Sequence, residues 1–378
     1  MARSHRSGAP VPPYEPPRLR LSGPEQLLQA LPYLLGVELR ESVVVVGLAR
    51  GSRGADEVGF QARADLGPLA DGDESPEQLA ALVAPHCDRG VIVVLYADGG
   101  SDGLGPPRAE LAERLVAALR AEGVEVRDAL AVCGARWWSF LCQDRGCCPP
   151  AGWPLPEAGD SPVPAELTVL GLSPGRPRAE LAAELAGPTG LRLAVVRQEL
   201  DRAAQRLLER LAAGEVDAGG WRQECLGLLA EARERLNAGG PALSPEECAR
   251  LLLALDDVLV RDEVMGWAPP ARRSGGRRPA AAQAAGAVSA EAIGGEPLWR
   301  ALLRSAPDEC SPAPATLLAW AAYTRGDGLV ANLALDRALA ADPGYRLALL
   351  LAEACARGVA PDRLDDVVRR GAAAAAAG

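Results

Sequence analysis

Short runs of β-branched residues without polar alternation occur in the first part of the chain. The runs at 42–48 and Val91–Tyr96 predict two strands that are covered on both faces. A more alternating run at 59–66 predicts a strand beside them. A predicted helix at 108–122 precedes a predicted strand near 124–132, which indicates a parallel strand pair with a right-handed crossover. We therefore expect an α/β domain with a mixed, partly parallel sheet of roughly four or five strands.

Three serines carry the capping pattern of a helix start. Ser22, Ser75 and Ser244 are each followed three residues later by Glu or Gln, so that each pair of side chains can cap a helix reciprocally. We expect the first of these helices to end at Gly36. Beyond residue 164 the apolar positions recur every three or four residues, which predicts an all-α region. Its long helices are predicted at 191–211, 221–236 and 244–260.

Changes in composition divide the chain into segments. Proline is concentrated near the start, and a stretch rich in arginine, alanine and glycine separates two helical parts. The predicted segments are a disordered Pro-rich tail (1–17), the α/β domain (18–157), a helical region (158–268), a flexible linker (269–295), a second helical segment (296–370) and a frayed alanine tail (371–378).

The composition excludes several kinds of chemistry. All 40 basic residues are arginine, so the chain can form no Walker-type P-loop, no Schiff base with pyridoxal phosphate and no kinase-type lysine site. Histidine occurs only as His5 and His86, which excludes a three-histidine zinc site and an HExxH helix within one chain. A nucleophile–histidine pair could use only His86, because His5 lies in the predicted tail. We assign no catalytic residue.

Charge and hydropathy also bear on partners and location. The net charge of −10 disfavours an electrostatic grip on nucleic acid. The sequence contains no run of 18 apolar residues, which argues against a membrane span. The first residues lack the apolar core of a secretory signal. We expect a soluble cytoplasmic protein with neither a membrane nor a nucleic-acid partner. Four arginines of the predicted linker could contact nucleic acid, but they have no aromatic neighbours on which bases could stack, so we favour a solvated linker. These residues are Arg272, Arg273, Arg277 and Arg278.

A segment rich in cysteine and tryptophan holds the densest candidate chemistry. Cys142, Cys147 and Cys148 lie in one short stretch, and Cys133 lies just before it. Four thiolates could hold zinc, although the spacing departs from the usual zinc pairs. A reversible disulfide between Cys142 and one of the adjacent pair is an alternative. We favour a third interpretation, in which the cysteines are small packing residues beside the tryptophans.

Three aspartates are candidates for a second site. Asp98 and Asp102 lie in a Gly-rich loop between a predicted strand and a helix, and Asp65 lies near the end of another strand. Ligands collect at such places in open α/β sheets, and the carboxylates could hold a divalent cation. The composition is also that of an ordinary solvated turn, which is the interpretation we favour. The two candidate sites could take zinc or another divalent cation, and we assign no cofactor to the chain.

The second helical segment contains a pattern typical of a tetratricopeptide-type helix pair. Gly326 and Asp327 stand at the predicted turn, alanines occupy the predicted crossing, and Pro343 follows the second helix. Trp320, Tyr323 and Asp327 are candidates for an interaction surface with an unidentified protein partner. A plain helical hairpin is the alternative, since no second copy of the pattern is present.

The order of these segments resembles the actinobacterial domain-of-unknown-function family 4192. The Trp-Trp and Cys-Cys motifs are the most specific part of the resemblance. Similar stretches occur at 21–28, 32–36, 42–48, 136–142, 147–150 and 318–343. The resemblance implies an actinobacterial source and supports the fold, but it implies no reaction.

We therefore expect a non-catalytic interaction or accessory protein, because the sequence carries a repeat-like hairpin and no complete catalytic set. The first alternative is a divalent-metal-dependent enzyme or small-molecule binder that uses the α/β domain. The second alternative is a structural or redox-responsive protein stabilised by zinc or by its thiols.

Overall fold

The structure is a computed structural model. It describes residues 21–51, 56–72, 74–99, 105–157, 159–266, 295–364 and 366. The predicted tails at 1–17 and 371–378 lie outside these residues, and so does the predicted linker apart from Gly295. The predicted segment boundaries stay predictions.

The N-terminal region is built on a six-stranded sheet with the strand order β2-β1-β3-β4-β5-β6. Only β3 and β4 are parallel, and every other neighbouring pair is antiparallel. The predicted mixed, partly parallel sheet is confirmed. The expected number of strands was too low, because β6 has only two residues, one of them proline, and leaves no strand pattern in the sequence. The strands are β1 Ser42–Arg50, β2 Asp56–Asp65, β3 Val91–Tyr96, β4 Val126–Cys133, β5 Arg136–Ser139 and β6 Trp153–Pro154.

Helices cover both faces of this sheet. They are α1 Pro24–Leu35, α2 Leu66–Asp71, α3 Pro76–Val83 and α4 Ala109–Ala121. Val43 and Val45 of β1 pack in a core with α3 and α4, whereas Val44 and Val46 pack in a second core with α1. Successive side chains of a strand point to opposite faces, and both faces are covered here, so four consecutive valines are buried. The prediction of strands covered on both faces is confirmed.

Two of the three predicted capping boxes form. Ser75 and Ser244 each accept the N–H of the residue three positions on, whose side chain accepts the serine N–H in return. Ser22 does not cap α1, because the N-cap is Gly23 and the serine lies one residue too early. Its backbone N–H donates instead to Oε1 of Gln26 at 2.7 Å.

The remainder of the described chain is mostly helical. One predicted helix at 244–260 is in fact two, because Asp257 accepts the N–H of Leu259 at 2.9 Å and starts a new helix. None of the helices in the described ranges has the length and apolar character needed to cross a bilayer. The helices are α5 Pro162–Val169, α6 Arg178–Glu184, α7 Gly190–Ala212, α8 Ala218–Asn237, α9 Pro245–Leu255, α10 Val258–Met265, α11 Glu296–Ser305, α12 Pro312–Thr324, α13 Gly328–Ala341 and α14 Arg346–Ala356.

One hydrophobic core joins helices from both sides of the predicted linker. Trp299 of α11 and Trp320 of α12 are its largest fully buried side chains. A charged cluster lies at its border, where Glu296, 8% exposed, pairs with Arg300 and Arg325. Most of a charge's hydration is lost at such a position, so these partners are needed to offset the loss.

Candidate functional site

The predicted carboxylates lie at one end of the sheet, where β2 and β3 finish. Ser42 at the start of β1 pairs in register with Asp65 and with the last residue of β3, so Asp65 and Asp98 share that end. Asp65 lies 2.9 Å from an Nη atom of Arg63, and Asp98 lies 2.9 Å from Nε of Arg40. Each carboxylate therefore has an arginine partner already.

An open cleft of about 650 Å³ adjoins Asp98. It is lined by Glu41, Asp98, Gly99 and Arg108, and the Asp98 N–H donates to Oε1 of Glu41 at 2.6 Å. Within the described ranges, no set of three or more His, Cys, Asp or Glu side chains brings carboxylate oxygens together here. Asp102, the third predicted carboxylate, lies outside the described residues.

The three residues proposed as an interaction surface lie at the α12–α13 hairpin. Trp320 is 2% exposed, and its Nε1 donates to the carbonyl of Met265 at 3.1 Å. Tyr323 is half-buried and donates its hydroxyl to the carbonyl of Val359. Asp327 caps α13 through its side chain. These contacts hold the helical region together, and the Trp320 side chain offers no accessible face to a partner.

Three of the four predicted cysteines meet on the loop between β5 and β6. The Sγ atoms of Cys142, Cys147 and Cys148 all lie within 4.8 Å of one another. Cys133 ends β4, opposite Arg136, and is not part of the group. Cys147 is exposed, whereas the other two are half-buried. We call residues 140–152 the thiol loop.

Two indoles hold the thiol loop against the sheet. Nε1 of Trp138 donates to the carbonyl of Pro150 at 3.0 Å, and Nε1 of Trp153 donates to the carbonyl of Cys147 at 2.6 Å. Trp138 lies on β5 and Trp153 on β6, so both strands that flank the loop contribute one donor. The carbonyl of the exposed cysteine is fixed in this way, although its side chain faces solvent.

Arg136 and Gly152 close the base of the loop. Nη1 of Arg136 donates to the carbonyls of Ala151 and Gly152 at 3.0 and 2.9 Å. Gly152 has a φ of +71°, and a Cβ there would lie 2.4 Å from Cε2 of Trp138. Glycine is therefore required both by the backbone conformation and by the approach of the indole.

A short hydrogen-bond chain fixes the start of the loop. Oγ of Ser139 donates to Oδ1 of Asp128 at 2.7 Å and accepts the N–H of Cys142 at 3.2 Å. Asp128 lies on β4, so the chain connects the first cysteine to a neighbouring strand. Farther along, the carbonyl of Asp144 accepts the N–H of Cys148 at 2.6 Å. The backbone next to two of the sulfurs is thus held by internal bonds.

The thiols differ in acidity because their surroundings differ. A hydrogen bond from Cys148, followed by one from the backbone of Asp144, lowers the pKa of Cys142. Burial raises the pKa of Cys148 to about 12, with the hydrogen bond to Cys142 adding to the effect. Burial also raises the pKa of Asp128, against the opposing hydrogen bond from Ser139. Cys142 is therefore the more easily ionised of the two half-buried thiols.

Comparison with known proteins places this loop inside a defined family. The family described as "Domain of unknown function (DUF4192)" matches residues 24–362, which include the whole sheet, the thiol loop and the described helices up to α14. The chain belongs to this family. No curated protein and no solved structure matches it.

In this member of the DUF4192 family, the thiol loop offers three sulfur ligands on a supported backbone. Grouped thiolates bind soft metal ions or undergo thiol–disulfide exchange. The cysteines and the neighbouring tryptophans could be predicted from the sequence, whereas the supporting roles of Asp128, Ser139 and Arg136 could not. Ser139 and Arg136 stand in the motif itself, whereas Asp128 is brought to Ser139 by the pairing of β4 with β5. That pairing leaves no separate mark in the sequence.

Proposed function

We propose that this protein is a non-catalytic accessory protein that binds a thiophilic metal ion through Cys142, Cys147 and Cys148. The observation that carries the proposal is the convergence of the three Sγ atoms within 4.8 Å of one another. A tetrahedral zinc ion with Zn–S bonds of about 2.3 Å holds its sulfurs about 3.8 Å apart, so the three sulfurs would close by up to about 1 Å. The ion would therefore require only small movements of the side chains.

The hydrogen bonds of the thiol loop support the proposal. A loop that is ordered before it binds loses less conformational entropy on binding, so more of the interaction energy appears as affinity. Trp138, Trp153 and Arg136 hold the backbone from the sheet side, and none of them uses a cysteine sulfur to do so. The sulfurs remain available as ligands, and the exposed Cys147 gives the ion a route from solvent.

The proposal includes a cytoplasmic location in an actinobacterium. Reducing conditions in the cytoplasm keep cysteines as thiols, which is the form that a metal site requires. Metal-dependent chemistry at Asp65 and Asp98 has weaker support, because each of these carboxylates is paired with an arginine.

We also propose that α12 and α13 form a tetratricopeptide-type pair within the accessory protein. Asp327 caps the second helix, and Ala331 and Ala338 are fully buried, as expected where two helices cross closely. An experimental structure in which the two helices cross at an angle foreign to such repeats would refute this assignment. Since Trp320 is buried, a docking face on the pair would have to use other side chains.

Metal loading of the purified chain tests the proposed function. Reduced, metal-free full-length protein is incubated with Zn²⁺, passed through a desalting column and assayed for metal by mass spectrometry. We expect the wild type to retain the ion and Cys147→Ser to lose it. Cys147 is exposed, so its replacement should leave the fold intact.

A control variant separates the loop from the other cysteines. Cys87→Ser is suitable because Cys87 is half-buried and its thiol donates to the carbonyl of Val83 at 3.1 Å, apart from the thiol loop. It should bind metal like the wild type. Wild-type protein that retains no ion from either Zn²⁺ or Cu⁺, or equal loss in both variants, would contradict the proposed function.

A further inference from the structure

The number of donors at the thiol loop bears on which ion it suits. In the part of the chain that the structure describes, no fourth His, Cys, Asp or Glu ligand atom joins the three sulfurs. Cys133 lies outside the group, although the sequence suggested it as a fourth ligand. His86, the one histidine among the described residues, has its ring centroid 5.5 Å from that of Phe60. Nitrogen ligation from this side chain would require it to leave its own packing site.

Several backbone oxygens of the thiol loop already accept hydrogen bonds. The carbonyl of Cys147 accepts from Trp153, that of Pro150 from Trp138, and that of Asp144 from the N–H groups of both adjacent cysteines. A carbonyl with such donors could join a metal ion only by giving up part of a hydrogen bond. Among the described residues the group therefore presents three sulfurs and no carboxylate oxygen.

This donor set matches some metal ions better than others. Structural zinc is almost always four-coordinate and tetrahedral, and three protein ligands leave its fourth position to water. Thiolate ligands select soft ions such as copper(I). Copper(I) is softer than Zn²⁺ and carries one positive charge fewer, so three thiolates can complete its coordination without a fourth ligand.

We infer that the thiol loop is selective for a soft monovalent cation of the copper(I) type, bound by Cys142, Cys147 and Cys148 alone, over Zn²⁺. This inference rests on the proposed function and names the ion. The ion enters as Cu⁺, and protons leave the thiols as the Cu–S bonds form, so no electron is transferred.

Competition between the two metals tests the inference. Reduced full-length protein under anaerobic conditions is titrated with Cu⁺ held by bicinchoninate, and then with Zn²⁺ in excess. We expect the protein to take Cu⁺ from the chelator and to keep it when Zn²⁺ is added. X-ray absorption at the copper edge should show three sulfur neighbours and no nitrogen or oxygen.

Variants assign the ligands. Cys147→Ser should weaken Cu⁺ binding by more than the roughly 10- to 100-fold typical of losing a group outside the coordination shell. Cys133→Ser and Cys87→Ser should leave the affinity unchanged. Circular dichroism of each variant checks that the fold is retained, and Cys142→Ser provides a second ligand variant.

The outcomes separate the inference from the proposed function. Displacement of Cu⁺ by Zn²⁺, a fourth ligand in the absorption spectrum, or weaker binding by Cys133→Ser would overturn the copper(I) assignment while leaving a thiolate metal site. Failure to bind either metal would overturn both. Equal Cu⁺ affinity of the wild type and the two ligand variants would place the ion elsewhere and also refute the inference.

Discussion

Replacing Gly152 by alanine tests how firmly the thiol loop is held to the sheet. The φ of +71° lies in the left-handed region, which costs a residue with a Cβ about 1–2 kcal/mol. The new methyl group would also lie 2.4 Å from Cε2 and 2.7 Å from Nε1 of Trp138. That ring cannot swing away freely, because Nε1 is bonded to the carbonyl of Pro150.

The two effects add to a measurable loss of stability. Overpacking of this kind costs about 1–3 kcal/mol, so Gly152→Ala should lower the free energy of unfolding by about 2–5 kcal/mol in total. Urea denaturation followed by tryptophan fluorescence measures the change. Because a shift of the loop backbone would change the spacing of the three sulfurs, metal affinity should fall as well.

Gly134 supplies the matched control. It lies in the turn before β5 with a φ of +55°, and a Cβ there would have no neighbour within 4 Å. Gly134→Ala should therefore lower the free energy of unfolding by about 1–2 kcal/mol, the cost of the left-handed backbone conformation alone. Equal destabilisation by the two substitutions would refute the argument that the indole presses on Gly152.

Other predictions concern the helical region and the thiols. Glu296→Gln should lower stability by about 1–3 kcal/mol in calorimetry, because two partly exposed arginines lose a charged partner. The exposed-pair variant Glu353→Gln should change it by less than about 1 kcal/mol. The hydrogen bond from Arg235 lowers the pKa of Glu247, so this carboxylate stabilises the fold above its unfolded pKa. That contribution is lost as the pH falls through the lower folded pKa, and acid titration of Glu247→Gln should show a smaller loss of stability. Mild oxidation should give a disulfide that includes Cys142. The Cα atoms of Cys147 and Cys148 are about 3.8 Å apart, closer than the roughly 4.4–6.8 Å usual in disulfides, so joining those two would be strained. Peptide mapping that finds Cys147 joined to Cys148 would contradict this.

Much of the sheet could be predicted because its sequence pattern is local. Consecutive valines in β1 are buried on alternate faces, so the run itself indicates a strand covered twice. The boxes at Ser75 and Ser244 also depend only on residues three apart. The break at Asp257 was missed because an aspartate inside an apolar helical pattern suits a solvated face as well as a cap.

The candidate site was predictable only in part, for a related reason. Cysteine and tryptophan are rare enough that their clustering drew attention to the loop, but which sulfurs meet depends on how the loop folds. Strand β5 lies between Cys133 and Cys142 in the chain, and Cys133 does not lie with the three grouped sulfurs. The role of Asp128 depends on the register between β4 and β5, in which Leu130 lies opposite Ser139.

The two edge strands of the sheet differ in length, and each has a feature that opposes pairing with a strand of another molecule. At one border β6 spans two residues and ends in Pro154, which has no N–H to offer to an incoming strand. At the other, β2 is ten residues long but carries Asp56, Glu57, Arg63 and Asp65. Charges along a free strand oppose pairing with another chain. Neither border of the described sheet is therefore a good template for edge-to-edge pairing between molecules.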